Sequence, residues 1–204
     1  MIAIVNYFMG NLQSVANILE YLKVPCQITN RPEDIRAADR IILPGVGAFN
    51  EAMKNLEKLN LIPLIREEVI EKRKPFLGIC LGMQLMADRG TECGETPGLG
   101  LIPGEIRRFE LEDKRLPIPH VGWNDVEPAP NSKLYAGSDR KRIFYFVHSY
   151  HFICREEKDV AGYTDYGGRF VSSIERGNIF GTQFHPEKSQ QDGLELLRNF
   201  LAYK

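Results

Sequence analysis

Cysteine is scarce in this sequence and never paired. Cys26, Cys80, Cys93 and Cys154 are scattered through 204 residues with no CxxC pair and no disulfide-like spacing, so neither a disulfide framework nor a metal site is expected. That usage fits a reducing cytoplasm. Long apolar runs are missing too, and none approaches the roughly 20 residues needed to span a bilayer. The opening MIAIVNYF has no basic lead, no long apolar core and no small-residue cleavage site, so it reads as a first strand rather than a signal. Charge of one sign is not in excess, with 26 basic against 27 acidic residues and no basic patch or acidic tail. Nucleic acid or a membrane surface is therefore not the expected partner. No repeat, low-complexity segment or linker divides the chain, and residues 1–204 read as one domain with a sizeable core.

What is present is strand–helix alternation. Ile2–Asn6 is a short apolar run, followed by GNLQSVANILEYLK, where Leu12, Val15, Ile18, Leu19 and Leu22 recur at the spacing of one helix face. CQIT and RIILPG predict two more strands. Ala48–Lys58 and Leu61–Lys72 predict helices, and PFLGI a fourth strand. Short apolar strands between helices predict an α/β fold in three layers, a mostly parallel central sheet with helices on both faces. Beyond Gly98 the sequence is β-rich and broken by Gly, Pro and Asp, which predicts an added region of hairpins. A last amphipathic helix is expected over about Gly193–Tyr203.

KPFLGICLGMQLM sets Cys80 between Gly78 and Gly82, where a strand pattern becomes a helix pattern. A lone cysteine is most often a small buried hydrophobe. The form G-x-C-x-G is, however, the thiol counterpart of the G-x-S-x-G elbow, a tight turn that exposes a nucleophile above the sheet edge. The following helix turn brings N–H groups and positive dipole near the sulfur, favouring the thiolate, and the N–H of Leu81 is placed to help hold an oxyanion. A thiolate nucleophile needs a base and a group to orient it. Of the four histidines, His120, His148, His151 and His185, only His185 has a carboxylate two residues on, Glu187. In an extended segment the two would share a face. His120 and His148 read as structural or interface residues, His151 as a lone strand histidine. PGVGAF (Pro44–Phe49) ends a predicted parallel strand at the same carboxyl edge, where Gly45 and Gly47 let a backbone N–H of Val46 or Gly47 turn toward a substrate.

Together, GICLGMQ, PGVGAF and QFHPEKS resemble the class I, triad-type glutamine amidotransferases. Within that group GNLQSV, PHVGWN, YFVHSY and FGTQFHPEKS are similar to the glutaminase subunits of imidazole glycerol phosphate synthases, nearly end to end. The resemblance implies that Cys80 attacks the side-chain amide of glutamine, that His185 shuttles the proton and that Glu187 supports the imidazolium. It also implies Val46, Gly47 and Leu81 as oxyanion donors, and Gln84, Glu92, Ser149 and Tyr150 as glutamine contacts. No cofactor and no metal are implied. The partner implied is a (β/α)8 cyclase subunit in a heterodimer, docked around Asn11, Trp123, Tyr145 and Lys188.

One segment departs from the family pattern. Asn6-Tyr7-Phe8-Met9-Gly10-Asn11 stands where Asp-Tyr-Gly usually precedes the Gly-Asn pair. This leaves open a related glutaminase supplying ammonia for nucleotide-sugar modification in surface-polysaccharide synthesis. A γ-glutamyl hydrolase shares the elbow but needs no docking surface, and a non-catalytic binding protein predicts a broken triad. Proteases and chaperones of the wider superfamily typically lack the H-x-E strand, and GNLQSV and YFVHSY speak against purine- and pyrimidine-pathway amidotransferases.

Overall fold

The apolar runs of the first half become the parallel part of one sheet. In the computed structural model, which describes residues 1–137 and 140–203, these are β1 (Ile2–Val5), β2 (Cys26–Thr29), β3 (Arg40–Gly45) and β4 (Phe76–Cys80). The second half adds β5 (Arg89–Gly90), β6 (Thr96–Pro97), β7 (Gly104–Arg108), β8 (His120–Pro128), β9 (Arg142–His148), β10 (Tyr150–Cys154), β11 (Val160–Asp165), β12 (Arg169–Arg176) and β13 (Ile179–Thr182). The main path runs β2-β1-β3-β4-β13-β12-β10-β7-β5-β6. β2, β1, β3, β4 and β13 are mutually parallel, and β12 pairs antiparallel with β13. The hairpin region therefore donates its last strand to the parallel core.

Alternate residues of the parallel strands enter two separate cores, as the two-residue period of a strand requires. Ala3, Val5, Ile41, Leu43 and Phe76 face one cluster, while Ile2, Ile4, Ile42, Leu77 and Ile79 face the other. The first is covered by α2 (Pro32–Ala37), α3 (Phe49–Lys58) and α4 (Leu61–Arg66), the second by α1 (Leu12–Tyr21) and α6 (Gln190–Ala202). This is the expected three-layer arrangement. α5 (Leu81–Gln84) is a single turn following β4.

Several boundaries differ from the sequence pattern. α2 is not legible from periodicity because Ile35 is its one buried residue; its signals are Pro32 in the first turn with Glu33 and Asp34 beside it. The helix expected to reach Lys72 leaves α geometry after Arg66 and continues as a π-helical turn over Glu67–Glu71. α6 begins at Gln190, ahead of its first apolar residue, because Ser189 and Gln190 complete the 3₁₀ turn over Pro186–Lys188.

Candidate active site

β3 and β4 end side by side, with Gly45 paired to Cys80. Cys80 has φ 53° and ψ −109°, a strained conformation for a residue with a side chain, of the kind held at functional turns. Its flanking glycines are steric requirements. A Cβ on Gly78 would lie 2.6 Å from the carbonyl oxygen of Gly82, and one on Gly82 would lie 1.7 Å from that of Leu43. The expectation of an exposed corner is not met: Cys80 is only 6% exposed. Tyr7, Val147 and Gln183 surround it, with the Val147 carbonyl 3.9 Å and the Gln183 amide nitrogen 3.8 Å from the sulfur.

His185 follows β13, the parallel neighbour of β4, so the imidazole and the sulfur share one sheet edge. Its Nδ1 lies 2.8 Å from Glu187 Oε1, and both side chains are 2% exposed. The segment is not extended, as expected, but a 3₁₀ turn over Pro186–Lys188. Proline favours that start, and the turn brings Glu187 back to the ring. Burial works against the imidazolium, but hydrogen bonding and charge from Cys80 and Glu187 outweigh it and raise the His185 pKa to about 10. Nε2, the other ring nitrogen, is buried and lies on the side of Cys80. The turn is fixed from below, since the His185 N–H donates to the Tyr145 carbonyl and the Ser189 hydroxyl to that of His185.

The other expected contacts gather around this pair. Gly47 has φ 112°, and a Cβ there would meet Met9 Cε at 2.7 Å, so the loop carrying Val46 and Gly47 is shaped for glycine. Leu81 opens α5 directly behind the sulfur. Glu92 accepts the Phe49 N–H at 2.8 Å, tying the first turn of α3, just after that loop, to the far side of the site. Gln84 donates from Nε2 to the Tyr150 carbonyl and to Gln183 Oε1, both at 3.0 Å. Ser149 and Tyr150 lie at the turn between β9 and β10.

Two neighbours escaped the sequence reading. Gln183 stands inside the quoted QFHPEKS segment, two residues before His185, but on a strand pattern it reads as filler. Tyr7 is fully buried with its hydroxyl unpartnered among the described residues, and burial together with the nearby Cys80 pushes its pKa far up. Its segment explains the departure from the family pattern. Asn6 Oδ1 accepts the Phe8 N–H at 3.1 Å, as a carboxylate would, while Phe8 takes φ 66° where the family has glycine.

Beside Cys80, His185 and Glu187 lies an apolar face. β8 and β9 pair with Trp123 opposite Tyr145, rings 5.9 Å apart and edge-on. Trp123 is 49% exposed and so is not a core residue; Val121 and Ile143 on the same strands are also exposed. Lys188 Nζ sits 5.6 Å over the Tyr145 ring, whose centroid is 6.4 Å from that of His185. Asn11, half-buried, precedes α1 on the loop that packs against Gly45 and Gly47. His120 and His148 are buried and hydrogen-bonded to each other, and His151 stacks on Phe109 at 4.6 Å rather than standing alone.

The chain is similar to known proteins. Residues 3–203 match the class I glutamine amidotransferase family. Imidazole glycerol phosphate synthase subunit HisH 1 of Campylobacter jejuni (strain RM1221) is 50% identical over 201 residues, covering 98% of this chain and 99% of that protein. Subunit HisH of Moorella thermoacetica is 50% identical over 200 residues, covering 98% and 93%. A crystal structure of a glutamine amidotransferase superposes with a TM-score of 0.76 at 20% identity, over 98% of this chain and 96% of the other, a likeness of fold. The chain thus belongs to the class I glutamine amidotransferase family, within the branch of the imidazole glycerol phosphate synthase subunits.

Proposed function

We propose that this chain is the glutaminase subunit of imidazole glycerol phosphate synthase, with Cys80, His185 and Glu187 as its catalytic triad. The observation that carries the reading is the strained Cys80 turn on one sheet edge with the buried His185–Glu187 pair. The Cys80 thiolate adds to the carboxamide carbon of glutamine. Backbone N–H groups of Leu81 and of Val46 or Gly47 hold the oxygen that becomes negative. His185, as imidazolium, gives its proton to the departing nitrogen, so ammonia leaves and a thioester remains. Water then attacks the thioester, its proton passing to His185, and glutamate is released with the thiolate restored. Glu187 holds Nδ1–H throughout, leaving Nε2 to carry the shuttled proton. Gln84, Glu92, Ser149 and Tyr150 position the substrate.

The ammonia passes to a cyclase subunit, a (β/α)8 barrel, which uses it to form imidazole glycerol phosphate and an aminoimidazole carboxamide nucleotide in histidine biosynthesis. In bulk water at neutral pH ammonia is mostly ammonium and no nucleophile, so a closed passage keeps it reactive. The exposed Val121, Trp123 and Ile143, with the half-buried Tyr145, beside Lys188 and Asn11 form the docking face, aromatic at its centre as anchors of binding energy usually are. The relatives at 50% identity, named as synthase subunits, favour this acceptor over a nucleotide sugar. Mixing the chain with the cyclase and its nucleotide substrate tests the reading. Glutamine is expected to support formation of imidazole glycerol phosphate; product from added ammonium salt but none from glutamine would refute it.

A further inference from the structure

A hydrogen-bonded chain of three side-chain amides and two imidazoles ends on the Cys80 sulfur, and every proton in it is assigned by its partners. The Tyr150 carbonyl can only accept. His148 Nδ1, 2.8 Å away, therefore carries its proton, and Nε2 of the neutral ring is an acceptor. His120 Nδ1, at 3.0 Å, must donate to it, so His120 Nε2 accepts from Asn124 Nδ2 at 3.3 Å. The Asn124 amide cannot turn over, because Nδ2 also donates to the Asp165 carbonyl and Oδ1 accepts the Asp125 N–H. Burial favours the neutral rings, lowering the His120 pKa to about 4 and that of His148 to about 3.

From the Tyr150 carbonyl the chain continues inward. It also accepts from Gln84 Nε2, whose second hydrogen goes to Gln183 Oε1. Gln183 is fully buried, and a rotated amide would set its nitrogen against that of Gln84, donor against donor. Its Nε2 is thereby directed at Cys80 Sγ, 3.8 Å away. The titratable groups facing the sulfur are His185 from the turn after β13 and Tyr7 from the end of β1, with Glu187 behind His185. A neutral thiol can donate to the Val147 carbonyl, whereas the ionised sulfur needs donors, which the Gln183 amide supplies.

We propose that Gln183 is a further catalytic residue, a neutral donor to the Cys80 sulfur, and that Gln84, His148 and His120 are positioning residues that lock its amide in the donating orientation. The proposal rests on Cys80 being the nucleophile. The test is the rate at which iodoacetamide alkylates Cys80 in the full chain at pH 7, followed by mass spectrometry, alongside glutamine turnover with the cyclase. Gln183→Met is expected to slow alkylation and lower kcat about tenfold each, the worth of one hydrogen bond to a charged atom, with KM for glutamine within about twofold. Unchanged alkylation and kcat would overturn the proposal. Should that variant not fold, Gln84→Met decides, since it leaves Gln183 in place but frees its amide; it too is expected to slow alkylation, and an unchanged rate counts against the lock. His148→Phe is expected to slow alkylation and His148→Asn, whose amide can still donate to the Tyr150 carbonyl, to restore it. Equal loss in both would reduce His148 to packing. Alkylation of another cysteine in the wild-type chain would sink the assignment of the nucleophile itself, a separate failure.

Discussion

At the scale of single residues the site works by forcing groups into positions they would not otherwise hold. Cys80 takes a conformation that costs of order 1–3 kcal/mol, and Gly78 and Gly82 make room for it. Cys80→Ala is expected to abolish glutaminase activity while the chain still folds and binds the cyclase. A glutamine-derived chloroketone is expected to label Cys80 and spare Cys26, Cys93 and Cys154, which peptide mapping reads directly. His185→Asn is expected to cost about as much as losing the thiol, because a nucleophile and its base fail as a unit. Glu187→Gln keeps a group to hold the ring but removes the charge opposite the imidazolium. Its loss in kcat is therefore expected to be the smaller, and equal losses would contradict this division of roles.

At the scale of elements, the ends of β3, β4 and β13 deliver the loop, the thiol and the base to one edge, and the β8–β9 ladder sets an aromatic face beside them. Trp123→Ala is expected to weaken binding to the cyclase by more than tenfold, as removal of a central aromatic anchor does, while leaving melting temperature nearly unchanged. Because Trp123 is the only tryptophan, its emission is expected to shift to the blue on complex formation. A partner that turns over a peptide in the loop of Gly45, Val46 and Gly47 is expected to control the chemistry. A peptide flanked by glycines turns over at little steric cost, and one oxyanion donor is worth roughly a hundred- to a thousand-fold in rate. Turnover is expected to be low for the isolated chain, modestly higher with the cyclase, and much higher once the cyclase holds its nucleotide. Comparable rates in the three conditions would rule the switch out, as would full activity in Gly47→Pro.

At the scale of the whole molecule, the four histidines give stability two opposite pH slopes. Burial lowers the pKa of His120, His148 and His151 to about 4, 3 and 4 from the ordinary 6.5. Between those values the unfolded chain binds more protons, so this contribution is complete above pH 6.5 and is lost as pH falls toward 4. His185 is raised to about 10, and its contribution is complete below pH 6.5 and is lost as pH rises toward 10. Urea midpoints are therefore expected to fall on both sides of neutrality. His148→Gln is expected to flatten the acid side and His185→Asn the alkaline side; slopes unchanged by either would show that other groups dominate.

The sequence by itself determined the strand–helix order and the parallel sheet, and it singled out Cys80, His185 and Glu187, which the fold brings to one edge. Each is written locally: apolar runs such as RIILPG bounded by Pro and Gly, a cysteine between two glycines, and a carboxylate two residues from a histidine. β2 and β3 even begin and end where their runs do. Weak local patterns were not legible, as in α2 with its one buried residue, or the turn that replaces an extended His185–Glu187 segment. Nor did sequence distance warn that Gln183 and Tyr7 would wall in the sulfur, since one comes from 103 residues downstream and the other from just after β1, two strands away from β4 in the sheet. Those placements depend on which strands become neighbours. That is settled only when both cores pack at once, and with it the burial of Cys80, the proton order of His120 and His148, and the exposure of Trp123.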